Sequence, residues 1–190
     1  MEVICSNSKI IIRLLEKNKK DIKCLYNWLN NKDVYEFYGD SNERSFAFVK
    51  QKYESKIEDN SIYPCIIEYN KNSIGYLQFY SINNKNYELT EKQFANITNK
   101  SNKIFAIDIF IAELEYRNRG IGTEIIKLLN KTLFEKYNAD AIVIDPKVNN
   151  SRAIACYKKC GFKECIIAKQ REEKDGIKYD NLIMKIEKVN

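Results

Sequence analysis

The sequence predicts a single α/β domain, residues 1–190, in which a mostly antiparallel sheet carries one pair of parallel strands and is flanked by helices. A chain of 190 residues with 44% hydrophobic composition has enough apolar material for one core. In its second half, strand and helix patterns alternate, which favours parallel pairing. In its first half, two extended runs flank the segment Asn70-Lys71-Asn72, which favours an antiparallel hairpin.

The elements of the first half follow from their patterns. Residues 10–15 are rich in β-branched side chains and predict a strand, after which Asp21 is expected to cap a helix with a regular apolar face. A second helix is expected over residues 45–57, and the hairpin strands over 63–82. Residues 83–102, rich in Asn and Lys, are expected to form a long exposed loop, and such loops are often functional.

The second half opens with an apolar run at residues 104–111, which predicts a buried strand. A turn with two glycines follows, and apolar residues at helical spacing then predict a helix over 121–134. Residues 141–144 are a further short strand and 151–160 a further helix. Residues 162–169 and 177–186 are expected to close the domain as a hairpin.

Composition excludes several classes of protein. The chain contains no histidine, which excludes Ser-His-Asp and Cys-His triads, HExxH metalloproteases and histidine zinc sites. No apolar run approaches the ~20 residues that span a bilayer, so a soluble protein without a membrane partner is expected. The 32 basic and 26 acidic residues give a net charge of +6, which favours anionic partners. A nucleic-acid-binding module is a competing explanation, but no RNP-like aromatic signature or Cys/His finger supports it.

The six cysteines include no C-x-x-C pair, so no metal site is expected. The sequence shows no secretion signal, and these thiols are therefore expected to be reduced, in a cytoplasmic protein. Cys156 and Cys160 lie four residues apart on an expected helix. They could form a redox or ligand pair, but the absence of a third ligand favours packing as small hydrophobic side chains.

The turn before the helix at residue 121 has the composition of an anion site. It consists of Arg117, Asn118, Arg119, Gly120, Ile121, Gly122 and Thr123. Two glycines let the backbone approach a ligand, and the N–H groups at a helix start attract an anion. An ordinary strand-to-helix turn would look similar. The Walker A motif and the Rossmann glycine spacing are both absent.

A second motif follows about thirty residues later. The segment from Asn150 to Phe162 fits N-x-x-A-x-x-x-Y-x-x-x-G-F, with Ala153 and Tyr157 at the conserved letters of that pattern. With the glycine turn, it resembles the GNAT N-acetyltransferases. The resemblance implies acetyl-coenzyme A as co-substrate, with its pyrophosphate on residues 117–123 and its pantetheine between two splayed parallel strands. It also implies contacts from Asn150, Ala153 and Tyr157, and no metal.

Further short matches occur in order along most of the chain. They lie at residues 25–30, 36–39, 74–78, 107–108 and 145–146, and they are similar to the aminoglycoside 6'-N-acetyltransferases. Ile109 departs from the glutamine of those relatives, and residues 83–102 diverge from them. These departures concern the preferred drug rather than the chemistry.

The reacting groups can be argued from the residues. A neutral amine is needed for acetylation, and Asp108 is the candidate general base because a charge inside an apolar strand is costly unless it is paired or faces a cleft. A surface aspartate on an edge strand is the alternative. Tyr157 is the candidate general acid toward the departing thiolate, and a merely packed aromatic is its alternative. A backbone N–H near Phe110 or Ile111 is expected to polarise the thioester carbonyl.

Several side chains are candidates for binding the substrate. Asp145 can reach the same cleft as Asp108; from the residues alone a cap or turn role is equally open, while the resemblance implies a ligand for a second amine. Trp28, Glu36 and Tyr38 could form an aromatic and acidic wall, although Trp28 on an apolar face is more often core. The remaining candidates are Gln78, Glu88 and Asp175.

The resemblance therefore implies direct transfer of an acetyl group to the 6'-amine of an aminoglycoside, a cationic small molecule, and hence antibiotic resistance. No covalent enzyme intermediate is required. The alternative is the same fold acting on a protein N-terminus, a lysine or a polyamine, and a non-enzymatic acyl-CoA sensor is a further one. A monomer or a homodimer is expected.

Overall fold

The computed structural model describes residues 1–39, 42–83, 87, 89–98 and 103–188. The chain forms two compact units, one comprising Met1–Phe79 with Ile109–Ile121 and the other Tyr80–Asp108 with Gly122–Asn190. The expectation of a single domain stays a prediction. No helix within the described ranges is long and apolar enough to cross a membrane.

The first unit contains four strands that follow one another in the order β1-β2-β3-β4. Their ranges are β1 Val3–Ser6, β2 Ile10–Leu14, β3 Ile62–Tyr69 and β4 Asn72–Ser81. The part of β4 up to Phe79 belongs to this unit. Strands β1, β2 and β3 pair antiparallel. Asn70 and Lys71 have positive φ angles of 48° and 70°, as a tight turn between twisted antiparallel strands requires.

Three helices accompany these strands, namely α1 Lys19–Leu29, α2 Lys32–Tyr35 and α3 Phe46–Glu58. The expected capping role of Asp21 is wrong, because Asn18 is the N-cap and its side chain accepts the N–H of Asp21. The Asp21 carboxylate instead pairs with Arg13 of β2, at 2.7 and 2.9 Å. This buried ion pair connects α1 to the strand before it.

The second unit contains the strands β5 Ile104–Ile111, β6 Ala141–Ile144, β7 Lys163–Lys174 and β8 Ile177–Glu187. The last three residues of β5, from Ile109, belong to the first unit. Their order is β5-β6-β8-β7. Strands β5 and β6 are parallel, whereas β6, β8 and β7 pair antiparallel. The predicted α/β fold with a mixed sheet and one parallel pair is thus confirmed.

The parallel pairing is short. It joins Ile104, Phe105 and Ala106 to Ala141, Ile142 and Val143, while β5 runs on to Asp108 and beyond. Asp108 therefore lies two residues past Ala106, the last residue of β5 that pairs with β6. This is the local arrangement that a splayed strand pair requires.

Helices α4 Glu91–Thr98, α5 Ile121–Glu135 and α6 Ser151–Lys159 complete the unit. Helix α4 corrects the expectation of a long exposed loop over residues 83–102, of which 84–86, 88 and 99–102 lie outside the described residues. Its first turn is a capping box in which Thr90 Oγ1 accepts the N–H of Gln93 at 3.2 Å and Gln93 Oε1 accepts the N–H of Thr90 at 3.1 Å.

Candidate functional site

The candidate acid and base lie in the second unit. Asp108 is half-buried in β5, and Tyr157 is 8% exposed on the inner face of α6, with its ring 6.1 Å from that of Phe162. Burial raises the pKa of the Tyr157 hydroxyl, and the negative charges of Cys156, Asp145 and Asp108 raise it further. Tyr157 therefore keeps its proton at neutral pH, within the electrostatic reach of Asp108.

Asp145 follows directly after β6 and is held at two points. Arg171 Nε donates to its carboxylate at 2.8 Å, and Asn181 Nδ2 donates to its carbonyl oxygen at 2.7 Å. Burial raises the pKa of the Asp145 carboxyl, and the positive charge of Arg171 opposes that rise. The cap of α6 is Asn150, so the helix-capping alternative for Asp145 is wrong.

Arg171 also contacts Tyr87, which lies four residues before the start of α4 at Glu91. Its Nη1 donates to the Tyr87 carbonyl at 2.8 Å, and its guanidinium lies 4.4 Å from the centre of the Tyr87 ring. Tyr87 is 2% exposed, and burial, with the charges of Asp145 and Asp108, raises its pKa. Asp108, Asp145, Tyr87, Tyr157 and Arg171 thus belong to one electrostatic neighbourhood, which we call the acidic cluster.

A bulge in β7 brings Arg171 to this cluster. Ala168 pairs with Asn181 and Glu172 with Tyr179, so three residues of β7 stand opposite the single residue Asp180 of β8. Gln170 has a positive φ of 51°, and its N–H donates to the Asp180 carboxylate at 2.9 Å. Bulges of this kind re-aim side chains. Sequence reasoning missed both Arg171 and Tyr87 because no local motif marks a bulge.

The glycine turn leaves its backbone uncovered. Residues 118–120 are exposed, and a Cβ added to Gly120 would meet no heavy atom within 4 Å. Asn118 and Gly120 have positive φ angles of 59° and 80°, and α5 begins at the next residue, Ile121. Exposed backbone N–H groups at the start of a helix suit an anionic group such as a pyrophosphate.

The two arginines of the turn have backbone partners. Arg117 donates through Nε to the carbonyl of Ile111 at 2.8 Å and through Nη2 to that of Ala112 at 3.2 Å. Arg119 Nη1 donates to the carbonyl of Glu115 at 3.2 Å. Arg117 thus fixes the end of β5 against the turn, in addition to supplying positive charge.

At that end of β5, Phe110 and Ile111 lie very close to β4. A Cβ added to Gly75 would stand 2.3 Å from the Phe110 carbonyl oxygen and 3.0 Å from Ile111 Cα, so only glycine fits. The N–H of Ala112 donates to the Ile74 carbonyl at 2.8 Å. The expected role of Phe110 or Ile111 as a backbone donor to the thioester stays a prediction.

Three predicted coenzyme contacts also have partners within the second unit. Asn150 Oδ1 accepts the N–H of Ala153 at 3.2 Å, and Thr123 Oγ1 lies 3.4 Å from the Sγ of Cys156. Cys160 is buried and its thiol donates to the Thr123 carbonyl at 3.6 Å. These contacts hold the start of α5 beside α6, and the packing role expected for the two cysteines stays a prediction.

Three predicted substrate residues lie in the first unit, two of them, Trp28 and Tyr38, against the ring of Phe110. Trp28 is 5% exposed and donates through Nε1 to Glu113 at 2.8 Å, which places most of its surface in the core. The half-buried Tyr38 ring lies 4.7 Å from that of Phe110. Glu36 is exposed at the end of α2. A substrate wall built from these residues stays a prediction.

Gln78 is buried in β4, where its Oε1 accepts from Tyr76 Oη at 2.8 Å and from Lys56 Nζ at 2.6 Å. Asp175 is exposed in the turn between β7 and β8, with a φ of 53° that suits this tight turn. Glu88 lies outside the described residues. No group of three or more Cys, Asp or Glu side chains in the described ranges could hold a metal ion.

Comparison with known proteins gives a consistent result. Residues 17–167 match the family described as acetyltransferase (GNAT) domain. The chain is 30% identical over 160 residues to the aminoglycoside N(6')-acetyltransferase type 1 of Klebsiella pneumoniae, covering 83% of this chain and 76% of that protein. It is 26% identical over 159 residues to the spermidine N(1)-acetyltransferase of Vibrio cholerae, covering 83% and 81%.

Among solved structures, the chain is similar to the aminoglycoside acetyltransferase AAC(6')-Ib in complex with coenzyme A and kanamycin. The TM-score is 0.72 at 26% sequence identity, with 94% of each chain covered.

Proposed function

The chain belongs to the GNAT acetyltransferase family, and we propose that it transfers the acetyl group of acetyl-coenzyme A to the 6'-amine of an aminoglycoside. The observation that carries this proposal is the half-buried carboxylate of Asp108 in β5, whose charge contributes to the raised pKa of the buried Tyr157. The 30% identity to an aminoglycoside N(6')-acetyltransferase supports the choice of substrate. Because acetylation turns an ammonium into a neutral amide, antibiotic resistance is the expected consequence.

The glycine turn fits acetyl-coenzyme A, which supplies the acetyl group as a thioester. The uncovered backbone at Gly120 and the helix start at Ile121 would bind its pyrophosphate, with Arg119 and Gly122 beside them. Arg117 holds the end of β5, where Phe110 and Ile111 would present an N–H to the thioester oxygen. Asn118, Thr123, Asn150 and Ala153 complete the proposed coenzyme contacts.

Asp108 would act on the amine. A primary amine has a pKa near that of lysine, about 10.4, and is mostly protonated at neutral pH. The Asp108 carboxylate would attract this ammonium and then accept its proton, directly or through a water, and such general-base assistance is worth about 10²–10⁴-fold in rate. Holding both reactants in place would supply much of the remaining acceleration.

Tyr157 would stabilise the departing sulfur by a hydrogen bond rather than by full proton transfer. A thiol has an ordinary pKa of about 8.5 and a tyrosine one of about 10, and burial raises that of Tyr157 further. Passing the proton from Tyr157 to the thiolate would therefore be unfavourable. The hydroxyl nonetheless remains a strong donor to a developing negative charge.

Polyamine acetylation is the second candidate. The 26% identity to a spermidine acetyltransferase over 83% of the chain favours it. Both candidates use the same Asp108 and Tyr157. They differ in the amine that is turned over.

The test is a thiol-release assay with acetyl-coenzyme A and kanamycin, with spermidine and a peptide bearing a free N-terminus in parallel. We expect turnover on kanamycin and an acetyl group on its 6'-amine, read by NMR of the product. An analogue with a hydroxyl in place of the 6'-amine should release no thiol. Turnover restricted to spermidine or to the peptide would overturn the aminoglycoside assignment.

The matched variant is Asp108→Asn, which keeps the size of the side chain and removes the base. We expect kcat to fall by about 10²–10⁴-fold, while calorimetry still detects acetyl-coenzyme A binding. Retained turnover in Asp108→Asn would show that another group accepts the proton.

A further inference from the structure

We propose that Arg171 is a specificity-determining residue, which occupies the Asp145 carboxylate and so keeps it from binding a second ammonium group of the substrate. The inference rests on the proposed function, because it concerns how the same site reads a substrate with several amines. Its starting observation is the hydrogen bond from Arg171 Nε to Asp145 at 2.8 Å, between side chains that are only 13% and 20% exposed.

Arg171 is anchored as well as paired. Besides the bond to Asp145, its Nη1 donates to the Tyr87 carbonyl at 2.8 Å and its guanidinium stacks 4.4 Å from the Tyr87 ring. A substrate ammonium that takes over Asp145 must therefore displace a guanidinium that two contacts with Tyr87 hold in place. The pair is a fixed part of this site rather than an exposed side chain that leaves readily.

The backbone supports the same position. Arg171 is the last of the three residues of the β7 bulge that stand opposite Asp180. Asp180 holds the bulge through the N–H of Gln170 at 2.9 Å and through Lys169 Nζ at 2.6 Å. The orientation of Arg171 is thus built into the pairing of β7 with β8.

Asp145 is held from its other side. Asn181 Nδ2 donates to the Asp145 carbonyl at 2.7 Å, and two residues further the buried Lys147 lies 3.0 Å from Glu172 and 4.5 Å from the centre of the Tyr179 ring. The backbone of Asp145 is therefore fixed to β8 beside the guanidinium. Asp145 and Arg171 together present no net charge to a ligand.

The neutralisation of Asp145 by Arg171 changes how the site binds a substrate with several ammonium groups. The reacting ammonium would contact Asp108, and a second ammonium finds the Asp145 carboxylate already paired with Arg171. The wild-type protein should gain little affinity from additional amines on its substrate. Removing the guanidinium should expose one acidic side chain and make the site favour polycations.

The experiment compares kanamycin, which has several amines, with 6-amino-6-deoxyglucose, which has one. In Arg171→Gln we expect the ratio of the KM for the single amine to the KM for kanamycin to rise about tenfold, the value of one hydrogen bond to a charged group. Assays run above neutral pH, because burial raises the pKa of Asp145 and the carboxylate must be ionised.

Two controls isolate the charge. Arg171→Lys keeps a cation beside Asp145 and should retain the wild-type ratio, and the double variant Arg171→Gln with Asp145→Asn should return to it. An unchanged or lower ratio in an Arg171→Gln protein that still binds acetyl-coenzyme A would overturn the inference. If that protein fails to fold, Arg171→Met, which keeps the stem against Tyr87, takes its place.

Failure of the proposed function gives a different result. In that case the wild-type protein acetylates neither amine. The contrast between the two ligands is then read from calorimetric Kd values with coenzyme A present, where the same tenfold shift in Arg171→Gln is expected. The inference therefore stands or falls separately from the assignment of the reaction.

Discussion

Tyr157 illustrates how one buried side chain can be fitted to a single task. It is 8% exposed and lies near three groups that carry or can acquire negative charge, namely Cys156, Asp145 and Asp108. Each of these disfavours a tyrosinate, so the hydroxyl stays protonated over the pH range in which an amine substrate loses its proton. A donor with that property can stabilise a departing thiolate at any pH the enzyme meets.

Tyr157→Phe removes this donor and keeps the ring. Loss of one hydrogen bond to a developing charge should lower kcat by about tenfold or more, with acetyl-coenzyme A binding retained in calorimetry. Because the pKa of Tyr157 lies above its ordinary value, the wild-type pH–rate profile should show no decline caused by this group below pH about 10. An alkaline decline below that pH that disappears in Tyr157→Phe would contradict the assignment.

At the scale of elements, β4 approaches the end of β5 so closely at Gly75 that no side chain fits between them. Because Gly75 has no Cβ, the backbone of Phe110 and Ile111 can pack directly against the backbone of Gly75. Phe110 also packs against Tyr38 and Trp28. The position of this strand end, where a thioester donor is expected, therefore depends on a residue in the neighbouring strand.

Gly75→Ala tests that dependence. The added methyl would stand 2.3 Å from the Phe110 carbonyl oxygen, so backbone must shift, and overpacking of this kind costs about 1–3 kcal/mol in the free energy of unfolding. We expect urea denaturation to show this loss, together with a lower kcat. Ser73→Ala in the same strand adds no atoms and serves as the control. An equally stable, fully active Gly75→Ala protein would show that β4 does not set the geometry of β5.

Periodicity identified the elements that bury a regular face. The strand at Ile104–Ile111, helix α5 and the β7–β8 hairpin were predictable, because burial on one or both faces gives a clear apolar pattern. The helix α4 was missed because Asn and Lys dominate its neighbourhood. Its capping box at Thr90 and Gln93 was the local signal that could have identified it.

The candidate site likewise has one part that sequence motifs predict and another that only the structure shows. The glycine turn and the segment from Asn150 to Tyr157 carry motifs that a reader can find in the sequence. The contact of Arg171 with Asp145 and Tyr87 joins residues far apart in the chain and depends on a bulge opposite Asp180. Local patterns contain no information on such a contact, and only the strand register supplies it.

For the whole molecule, the distribution of charge matters more than its sum. Residues 117–163 contain ten basic and four acidic residues and thus account for the entire net charge of +6. The remainder of the chain is neutral. This stretch includes the glycine turn and the second motif, the two segments proposed to bind the coenzyme, which carries its negative charge on phosphates.

The effect of salt on the KM for acetyl-coenzyme A tests whether the charge of residues 117–163 binds the coenzyme. Attraction between exposed charges is screened over a Debye length of about 30 Å at 0.01 M salt and about 3 Å at 1 M. The KM for acetyl-coenzyme A should therefore rise several-fold as potassium chloride increases across that range. The KM for 6-amino-6-deoxyglucose should change less, because its ammonium would contact the half-buried Asp108 at short range, where salt screens poorly. A KM for acetyl-coenzyme A that is independent of salt would mean that the backbone N–H groups of the turn, rather than the charge of residues 117–163, carry the affinity.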